Sequence, residues 1–165
     1  MKAKKLMPML AIVALLGLSS CSTDTAAEDR VNSIEVPIAP EAKQIEIEIM
    51  ELINTHRILE GLNPLNDHST VKAVASTHTD YMIEVDNVSH DNFFLRKQSL
   101  QANANANIVS ENVAYGFSSA ESVVNAWLNS PSHKDNIEGD YTDFDISAEQ
   151  NNEGRWYFTN IFIKR

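Results

Sequence analysis

The stretch RWYFTNIFI, residues 155–163, decides the fold. Because side chains alternate between the two faces of a strand, this stretch presents large apolar groups on both faces of a sheet. One face carries Trp156, Phe158 and Phe162, and the other carries Tyr157, Ile161 and Ile163. Both faces must be covered, so the sequence predicts helices packed on each side of the sheet. The predicted fold class is α+β: a three-layer α-β-α sandwich with a small antiparallel sheet flanked by helices.

The neighbouring segments supply the rest of the predicted sheet. Residues 143–149 are separated from 155–163 by Asn151-Asn152-Glu153-Gly154, which is typical of a turn, and this predicts a terminal hairpin. Alternation from Ile108 to Tyr115 predicts a further strand. Residues 86–107 have no regular period, and the low-complexity run at 101–107 is predicted to be a mobile loop.

Two helices are predicted before this irregular region. Residues 41–60 place apolar side chains three and four positions apart, and Gly61 can end the helix in a left-handed conformation. His56 lies on that apolar stripe and is interpreted as structural. Ser69 or Thr70 is expected to cap a second helix.

Two further helices are predicted after residue 115. Residues 118–121, Ser-Ser-Ala-Glu, match a capping box and begin a helix that contains Trp127. Ser130-Pro131 has the pattern of an N-cap followed by proline at the first helical position. It predicts a short helix that carries His133.

The first 20 residues have the features of a secretory signal. Three lysines precede an apolar run at residues 6–18, which is shorter than the roughly 20 residues of a membrane span. Leu18-Ser19-Ser20-Cys21 resembles a bacterial lipobox, in which the cysteine thiol receives a diacylglycerol. The alternative is an ordinary signal peptide with an incidental cysteine.

The predicted organisation has three parts: a lipoprotein signal peptide at 1–20, a flexible linker at 21–40 and one domain at 41–165. We expect an extracytoplasmic protein anchored to a bacterial membrane through lipidated Cys21, with membrane lipid as a partner. Cys21 is the only cysteine, which excludes an intrachain disulfide.

The charge of the chain disfavours nucleic acid as a partner. The 165 residues carry a formal net charge of −10, and the first 20 contain three lysines and no acid, so the remaining 145 carry −13. A surface this acidic repels phosphate backbones. The length suffices for one domain with its own core.

Six short motifs follow one another along the predicted domain. They are Asn54, Arg57, Gly61-Leu62 and Pro64-Leu65 ("N..R...GL.PL"); Ala75, His78 and Met82 ("A..H...M"); Ser89-His90, Phe93 or Phe94, and Arg96 ("SH..F..R"); Glu111-Asn112-Val113-Ala114 and Gly116 ("ENVA.G"); Trp127, Ser130-Pro131 and His133 ("W..SP.H"); and Asn136-Ile137. In this order they resemble the CAP superfamily of SCP-like domains, over roughly residues 45–163. The resemblance implies the same sandwich fold.

The resemblance also implies a central cleft with two histidines and two acidic residues. Position by position, the histidines are His90 and His133 and the first acid is Glu111. The second acid falls at Ser130, so the set is incomplete. The chain also has Asp145 where the family usually has glycine, and Asn160 where glutamine often stands.

The chemistry of His90, Glu111 and His133 has two interpretations. Two imidazoles and one carboxylate are the ligand set of an open divalent-metal site, for example one that holds zinc and activates a water. Alternatively, Glu111 orders the two imidazoles by hydrogen bonds in a polar cleft that does no chemistry.

Three other residues are candidates for lining the cleft. His78 is interpreted either as a core histidine bonded to the backbone or as a cleft residue. Asn112 is expected to satisfy backbone groups at a strand end. Ser130 is expected to act as an N-cap, which disfavours its use as a nucleophile.

Three functions remain open from the sequence. The first is a non-catalytic binding module whose cleft takes a small apolar, lipid-like or peptide ligand and binds a divalent metal weakly. The second is a metal-assisted hydrolase that acts on extracellular peptides or polymers. The third is a surface module that binds an envelope protein and has a vestigial cleft.

Overall fold

The computed structural model describes residues 36–165. The predicted signal peptide, Cys21 and linker residues 21–35 lie outside the described residues. The helices are α1 Gln44–Leu59, α2 Ser69–Glu84, α3 Phe93–Ala104, α4 Ala120–Leu128 and α5 Pro131–Ile137, and the strands are β1 Asn66–Asp67, β2 Ile108–Tyr115, β3 Asp143–Gln150 and β4 Trp156–Lys164. Within this range, no helix has both the length and the apolar character that crossing a bilayer requires.

The strand that decides the fold lies inside the sheet, whose order is β1-β3-β4-β2. β4 pairs antiparallel with β3 from Asp143↔Ile163 to Gln150↔Trp156, which confirms the terminal hairpin. On its other side β4 pairs antiparallel with β2, the strand predicted at 108–115. β2 is therefore an edge strand.

The prediction of a purely antiparallel sheet is wrong at β1. Asn66 and Asp67 pair in parallel with the start of β3, so the sheet is mixed. Two polar residues between a turn and a helix show no alternation, and their pairing is therefore invisible to a periodicity analysis.

Helices cover both faces of the sheet, which confirms the α+β three-layer sandwich. On one face, α1, α4 and α5 pack on β4 around residues that include Ile53, Trp127, Phe158 and Phe162. On the other face, α2 and α3 pack on Ile161 and Ile163. The opposite orientation of neighbouring β4 side chains produces these two cores, as the sequence predicts.

The prediction of a mobile loop at 101–107 is wrong for residues 101–104, which belong to α3. Buried residues of α3 include the polar Arg96 and Ser99, whereas Phe94 is 70% exposed, so the helix has no apolar stripe. Asn92 and Asn105 bracket α3 with φ of 59° and 54°, left-handed conformations that asparagine tolerates better than most residues.

The helix boundaries agree only partly with their sequence signals. Neither Ser69 nor Thr70 caps α2, which begins at Ser69 and has His68 at its N-cap position. Gly61 follows α1 with φ of 76°, the left-handed conformation predicted for it. The capping box of α4, however, is formed by Ser119 and Ser122 rather than by Ser118 and Glu121. The first helical turn is thus shifted by one residue from the predicted start.

Side chains close the outer edge of β3 beyond its two-residue contact with β1. Lys72 donates from Nζ to the carbonyl of Ile146 at 2.8 Å, and the Glu46 carboxylate accepts from the amide of Ala148 at 2.7 Å. Lys72 and Glu46 also form an ion pair at 2.6 Å and are both buried. This pair, contributed by α2 and α1, satisfies strand groups that would otherwise be exposed at an edge.

Asp145 is a buried acidic residue of β3 itself. It is 6% exposed, and its carboxylate accepts from the amides of Ile146 at 2.8 Å and His68 at 3.3 Å. Burial raises the pKa of Asp145 to about 6, and the hydrogen bonds and Lys72 only partly offset this effect.

This pKa predicts a pH-dependent gain in stability for Asp145→Asn. Between about pH 4 and pH 6 the folded protein holds a proton that the unfolded chain has lost, so the contribution of Asp145 to stability falls as pH rises through this window. Above pH 6 the buried charge costs about 3 kcal/mol, which the amide avoids. Urea unfolding of both proteins at pH 4, 5, 6 and 7 should show the variant gaining on the parent by up to this amount. A constant difference across this pH range would contradict the assignment, whereas a constant offset from the altered hydrogen bonds, added to the pH-dependent gain, would not.

Candidate functional site

The candidate site lies at β2, where Glu111 points toward the face that α2 and α3 cover. Its neighbour two positions earlier, Val109, belongs to the core under these helices, and side chains two apart share a face. The Glu111 side chain is 1% exposed. A carboxylate this deeply buried must be paired, because an isolated buried charge is very costly.

Arg96 of α3 is the main partner of Glu111. Its Nε donates to Oε2 at 2.7 Å and its Nη2 donates to Oε1 at 2.7 Å, which is the bidentate geometry of a strong arginine–carboxylate pair. Arg96 also donates from Nη1 to the carbonyl of Asp91 at 2.6 Å. One guanidinium thus links α3, β2 and the loop before α3.

His90 is the second partner of Glu111 and lies in that loop. Its Nδ1 donates to Glu111 Oε1 at 2.8 Å, while 53% of its side chain is exposed. In a neutral ring this arrangement leaves Nε2 as the free acceptor nitrogen. His90 therefore contacts the buried Glu111 carboxylate with one side of its ring and solvent with the other.

The pKa of Glu111 reflects these partners. Burial alone would raise the pKa of Glu111, but the hydrogen bonds from His90 and Arg96 outweigh it and hold the pKa below its ordinary value. Glu111 is therefore a carboxylate at neutral pH and not a proton donor.

His78 lies next to Glu111. The structure agrees with the first of the two interpretations of His78, a core histidine that is bonded to the backbone. It is 2% exposed, and its Nε2 donates to the carbonyl of Ser89 at 2.7 Å, next to His90 in sequence. The same nitrogen is 4.0 Å from Glu111 Oε1. Burial, followed by the nearby positive charge of Arg96, lowers the pKa of His78. His78 is a neutral core residue that holds the loop of His90.

His133 lies on α5, and a different set of bonds fixes it. Its carbonyl accepts from Asn112 Nδ2 at 3.0 Å, and Asn136 donates to Asn112 Oδ1 at 2.8 Å and to the Glu111 carbonyl at 3.3 Å. Burial, followed by the proximity of His90, lowers the pKa of His133. Asn112, which is fully buried, therefore fastens α5 to the edge strand.

Ser130 requires a correction. It occupies the N-cap position of α5 as predicted, but its hydroxyl caps no backbone amide of that helix. Its Oγ instead lies 2.9 Å from His133 Nδ1. Proline at the first helical position has no N–H to satisfy, which removes part of the need for a cap.

A cleft of about 280 Å³ opens between the His90 loop and α5. Its lining residues are His90, Phe93, Val109, Ser110, Glu111 and Asn136. The structure therefore brings His90 and Glu111 together at the outer edge of β2, with Asn112 and His133 on the α5 side of the same strand. The sequence analysis placed Arg96 in a family motif but did not predict its pairing with Glu111, because this pairing depends on a helix that the periodicity did not indicate.

This donor set does not fit a divalent metal ion. Among residues 36–165, His90, Glu111 and His133 do not form a group with ligand atoms within 4.8 Å of one another. Both oxygens of Glu111 accept from Arg96, and one of them also accepts from His90. A metal on this carboxylate would leave the buried guanidinium without its counter-charge.

Comparison with known proteins decides the family. A family model described as CAP, the cysteine-rich secretory protein family, matches residues 50–162. The chain belongs to the CAP family. The resemblance drawn from the six motifs is thereby confirmed, and the matched region contains every cleft residue described above.

Relatives of this CAP chain come from several bacteria. It is 30% identical over 124 residues to the uncharacterized membrane protein YlbC of Bacillus subtilis, covering 73% of this chain but only 34% of that protein. An outer surface protein of Borrelia burgdorferi has a TM-score of 0.65 at 27% identity, covering 71% of this chain and 90% of the other. This chain therefore spans about a third of the length of YlbC and most of the length of the Borrelia outer surface protein.

Two further solved CAP relatives share the fold at lower identity. An extracellular protein of Bacillus anthracis that contains an SCP domain has a TM-score of 0.64 at 24% identity, and the match covers 73% of this chain and 40% of that one. A cysteine-rich secretory protein of Staphylococcus aureus has a TM-score of 0.64 at 20% identity, covering 76% and 40%.

The pairing of Arg96 with Glu111 predicts strong energetic coupling. Arg96→Met or Glu111→Gln alone should lower the free energy of unfolding by about 3–5 kcal/mol, since each removes one side of a buried ion pair. The double variant should cost clearly less than the sum, as measured by urea unfolding of the four proteins. Lys97→Met, on the same helix, serves as the matched control and should have little effect. Additive costs would show that the two charges do not depend on each other.

Proposed function

We propose that this protein is a non-catalytic binding module, held outside the cytoplasm by a lipid on Cys21, whose cleft at β2 binds an extended peptide segment. The observation that carries the proposal is the double occupation of Glu111 by Arg96 and His90. Because both of its oxygens are engaged, Glu111 can neither bind a metal ion nor take a proton from water, the two roles that hydrolysis would require of it.

The case against hydrolysis rests on the missing base. A metal-assisted hydrolase needs an activated water and a group positioned to take its proton. Glu111 is paired with the guanidinium of Arg96. In this chain Ser130 stands at the position where the family has its second acidic residue. The cleft therefore has hydrogen-bonding groups without the parts of a hydrolytic mechanism.

The case for a peptide rests on the backbone of β2. Glu111 and Val113 turn their carbonyls away from β4, because these accept from Asn136 Nδ2 and Trp127 Nε1. In an antiparallel pair, the N–H and C=O of every second residue point to the same side of the strand. The backbone N–H and C=O of Val109 therefore also point away from β4. An extended segment can hydrogen-bond to such an edge and add a strand to the sheet.

The side chains around this edge suit a peptide. His90 offers Nε2 as an acceptor at the exposed end of the cleft, and Phe93 supplies an apolar wall. Asn136 already satisfies the Glu111 carbonyl, which leaves the groups of Val109 as the first available on the strand. A peptide side chain can then lie against Phe93 while its backbone pairs with Val109.

The extracytoplasmic location is supported by the N-terminal sequence and by the relatives. Residues 1–20 have the pattern of an export signal that ends at the lipobox cysteine. Relatives carry the descriptions outer surface protein, extracellular protein and membrane protein. A lipid at Cys21 would present the cleft to peptides of the cell envelope or of its surroundings.

A second candidate ligand, a small apolar or lipid-like molecule, is favoured by a separate pocket. A pocket of about 240 Å³ lies between α2 and α3 and is lined mainly by apolar side chains, among them Val36, Val74, Tyr81 and Leu95. His78 and Arg96 also line it. Mostly apolar linings with a few polar groups are typical of small-molecule sites.

The peptide proposal predicts that Val109→Pro weakens binding. Proline removes an outward N–H without breaking the ladder to β4, and edge strands tolerate it. We expect peptides enriched from a random library on the parent protein to bind the variant about tenfold more weakly, since a hydrogen bond of about 1 kcal/mol is lost and the ring obstructs an added strand. Calorimetric titration of the parent and the variant measures the difference.

Val109→Ala is the matched control and should keep the parent affinity, because its backbone is unchanged. Enriched peptides that bind Val109→Pro as tightly as the parent would contradict the proposal. The second candidate is favoured if no peptide enriches and a fluorescent fatty acid binds saturably instead. Thr77 lines the pocket between α2 and α3, so Thr77→Phe should then abolish fatty-acid binding. The absence of both would favour the surface module with a vestigial cleft.

The lipid anchor has its own test. Bacteria that express the chain should incorporate labelled palmitate into it, and Cys21→Ala should abolish the label, since Cys21 is the only thiol available for acylation. Fractionation should show the parent in the membrane and the variant released from it. Label that survives the substitution would exclude the lipobox and favour the ordinary signal peptide.

A further inference from the structure

A group of metal-ligating side chains lies outside the cleft, where α1 ends and the chain leaves α5. His56, Glu60 and Glu138 each offer a ligand atom within 4.8 Å of the other two. His56 and Glu60 are four residues apart, and Glu138 follows the last residue of α5. We propose that these three side chains bind a divalent transition-metal ion of the zinc type.

The ligand types fit this class of ion. Imidazole nitrogen and carboxylate oxygen are both ligand types that zinc accepts, and a water can complete a tetrahedron around three such protein ligands. Metal–ligand bonds of about 2.1 Å place the ligand atoms of a tetrahedron about 3.4 Å apart. His56 Nε2 and Glu138 Oε1 are 2.8 Å apart, so small rotations of the side chains open the space required.

The site is organised before any ion arrives, because Arg57 holds the backbone on both sides of Glu138. Its Nη1 donates to the carbonyls of Ile137 at 2.6 Å and Gly139 at 2.9 Å, and its side chain is buried. Arg57 and His56 are adjacent on α1, so the element that supplies the imidazole also fixes the carboxylate. Preorganisation of this kind reduces the cost of binding.

Two groups compete with a metal for Glu138. His56 Nε2 donates to Glu138 Oε1 at 2.8 Å, so a metal must displace the proton from this nitrogen before the imidazole can bind it. Lys134 competes with a metal for this carboxylate, with Nζ 3.4 Å from Glu138 Oε1. Because Lys134 and a metal seek the same oxygen, its removal should strengthen metal binding.

An ion here would join α1 to the end of α5, the helix that carries His133 and Asn136 at the cleft. α5 is held on its cleft side through Asn112 and at its end by Arg57, and the ion would reinforce the second of these contacts. The proposal does not depend on what the cleft binds, and metal binding is measured here without any cleft ligand.

The test is calorimetric titration of the full chain, purified in detergent, with zinc chloride alone. We expect one zinc per chain in the parent, with at least about tenfold weaker binding for His56→Ala and Glu60→Gln, the lower end of what losing a group near a metal costs. Lys134→Gln should bind several times more tightly. Glu51→Gln, an exposed acid on the same helix, and His133→Ala should leave the affinity unchanged.

Two readouts separate the site from a loss of folding. Glu60 is exposed, so Glu60→Gln should keep the parent circular dichroism spectrum and metal-free melting temperature while losing the zinc-induced rise in that temperature. Cobalt in place of zinc should give visible absorption bands that disappear in His56→Ala. Parent-like zinc affinity in both His56→Ala and Glu60→Gln would overturn the proposal, and so would zinc binding that is lost in His133→Ala instead.

Discussion

The negative charge of Glu111 inside the protein is the constraint on which the cleft depends. Stabilising that charge requires Arg96, and placing Arg96 requires α3 and its left-handed asparagine boundaries. Arg96 also bonds the Asp91 carbonyl and so fixes the loop that carries His90. Arg96 therefore joins the edge strand, a helix and a loop, and its loss would remove one polar contact from each.

This constraint also determines which chemistry the cleft can support. A carboxylate that must neutralise a buried guanidinium is not available to a metal or to a water. What remains along the cleft is the exposed imidazole of His90, the outward-facing backbone of Val109 and the ring of Phe93. These groups recognise a ligand by hydrogen bonds and contact, which is the basis of the binding role proposed above.

The parts of the structure that could be predicted are those whose residues show a physical pattern in the sequence. Apolar groups on both faces of β4 indicate two cores directly, so the sandwich could be predicted from the residue pattern alone. α3 could not be, because its buried side chains include Arg96 and Ser99, which have no hydrophobic period. For the same reason His90 and Glu111 were identified as neighbours through the family resemblance, whereas the bidentate partner of Glu111 was missed. The parallel contact of β1 is too short to carry a pattern at all.

The buried pair of Glu46 and Lys72 also limits how copies of this protein can associate through their sheets. Another copy can extend the sheet at β3 only by breaking this ion pair, because its two side chains already occupy the amide of Ala148 and the carbonyl of Ile146. Desolvation makes that exchange unfavourable. Even at high density, copies of this protein are thus protected from polymerising into continuous ribbons through that border.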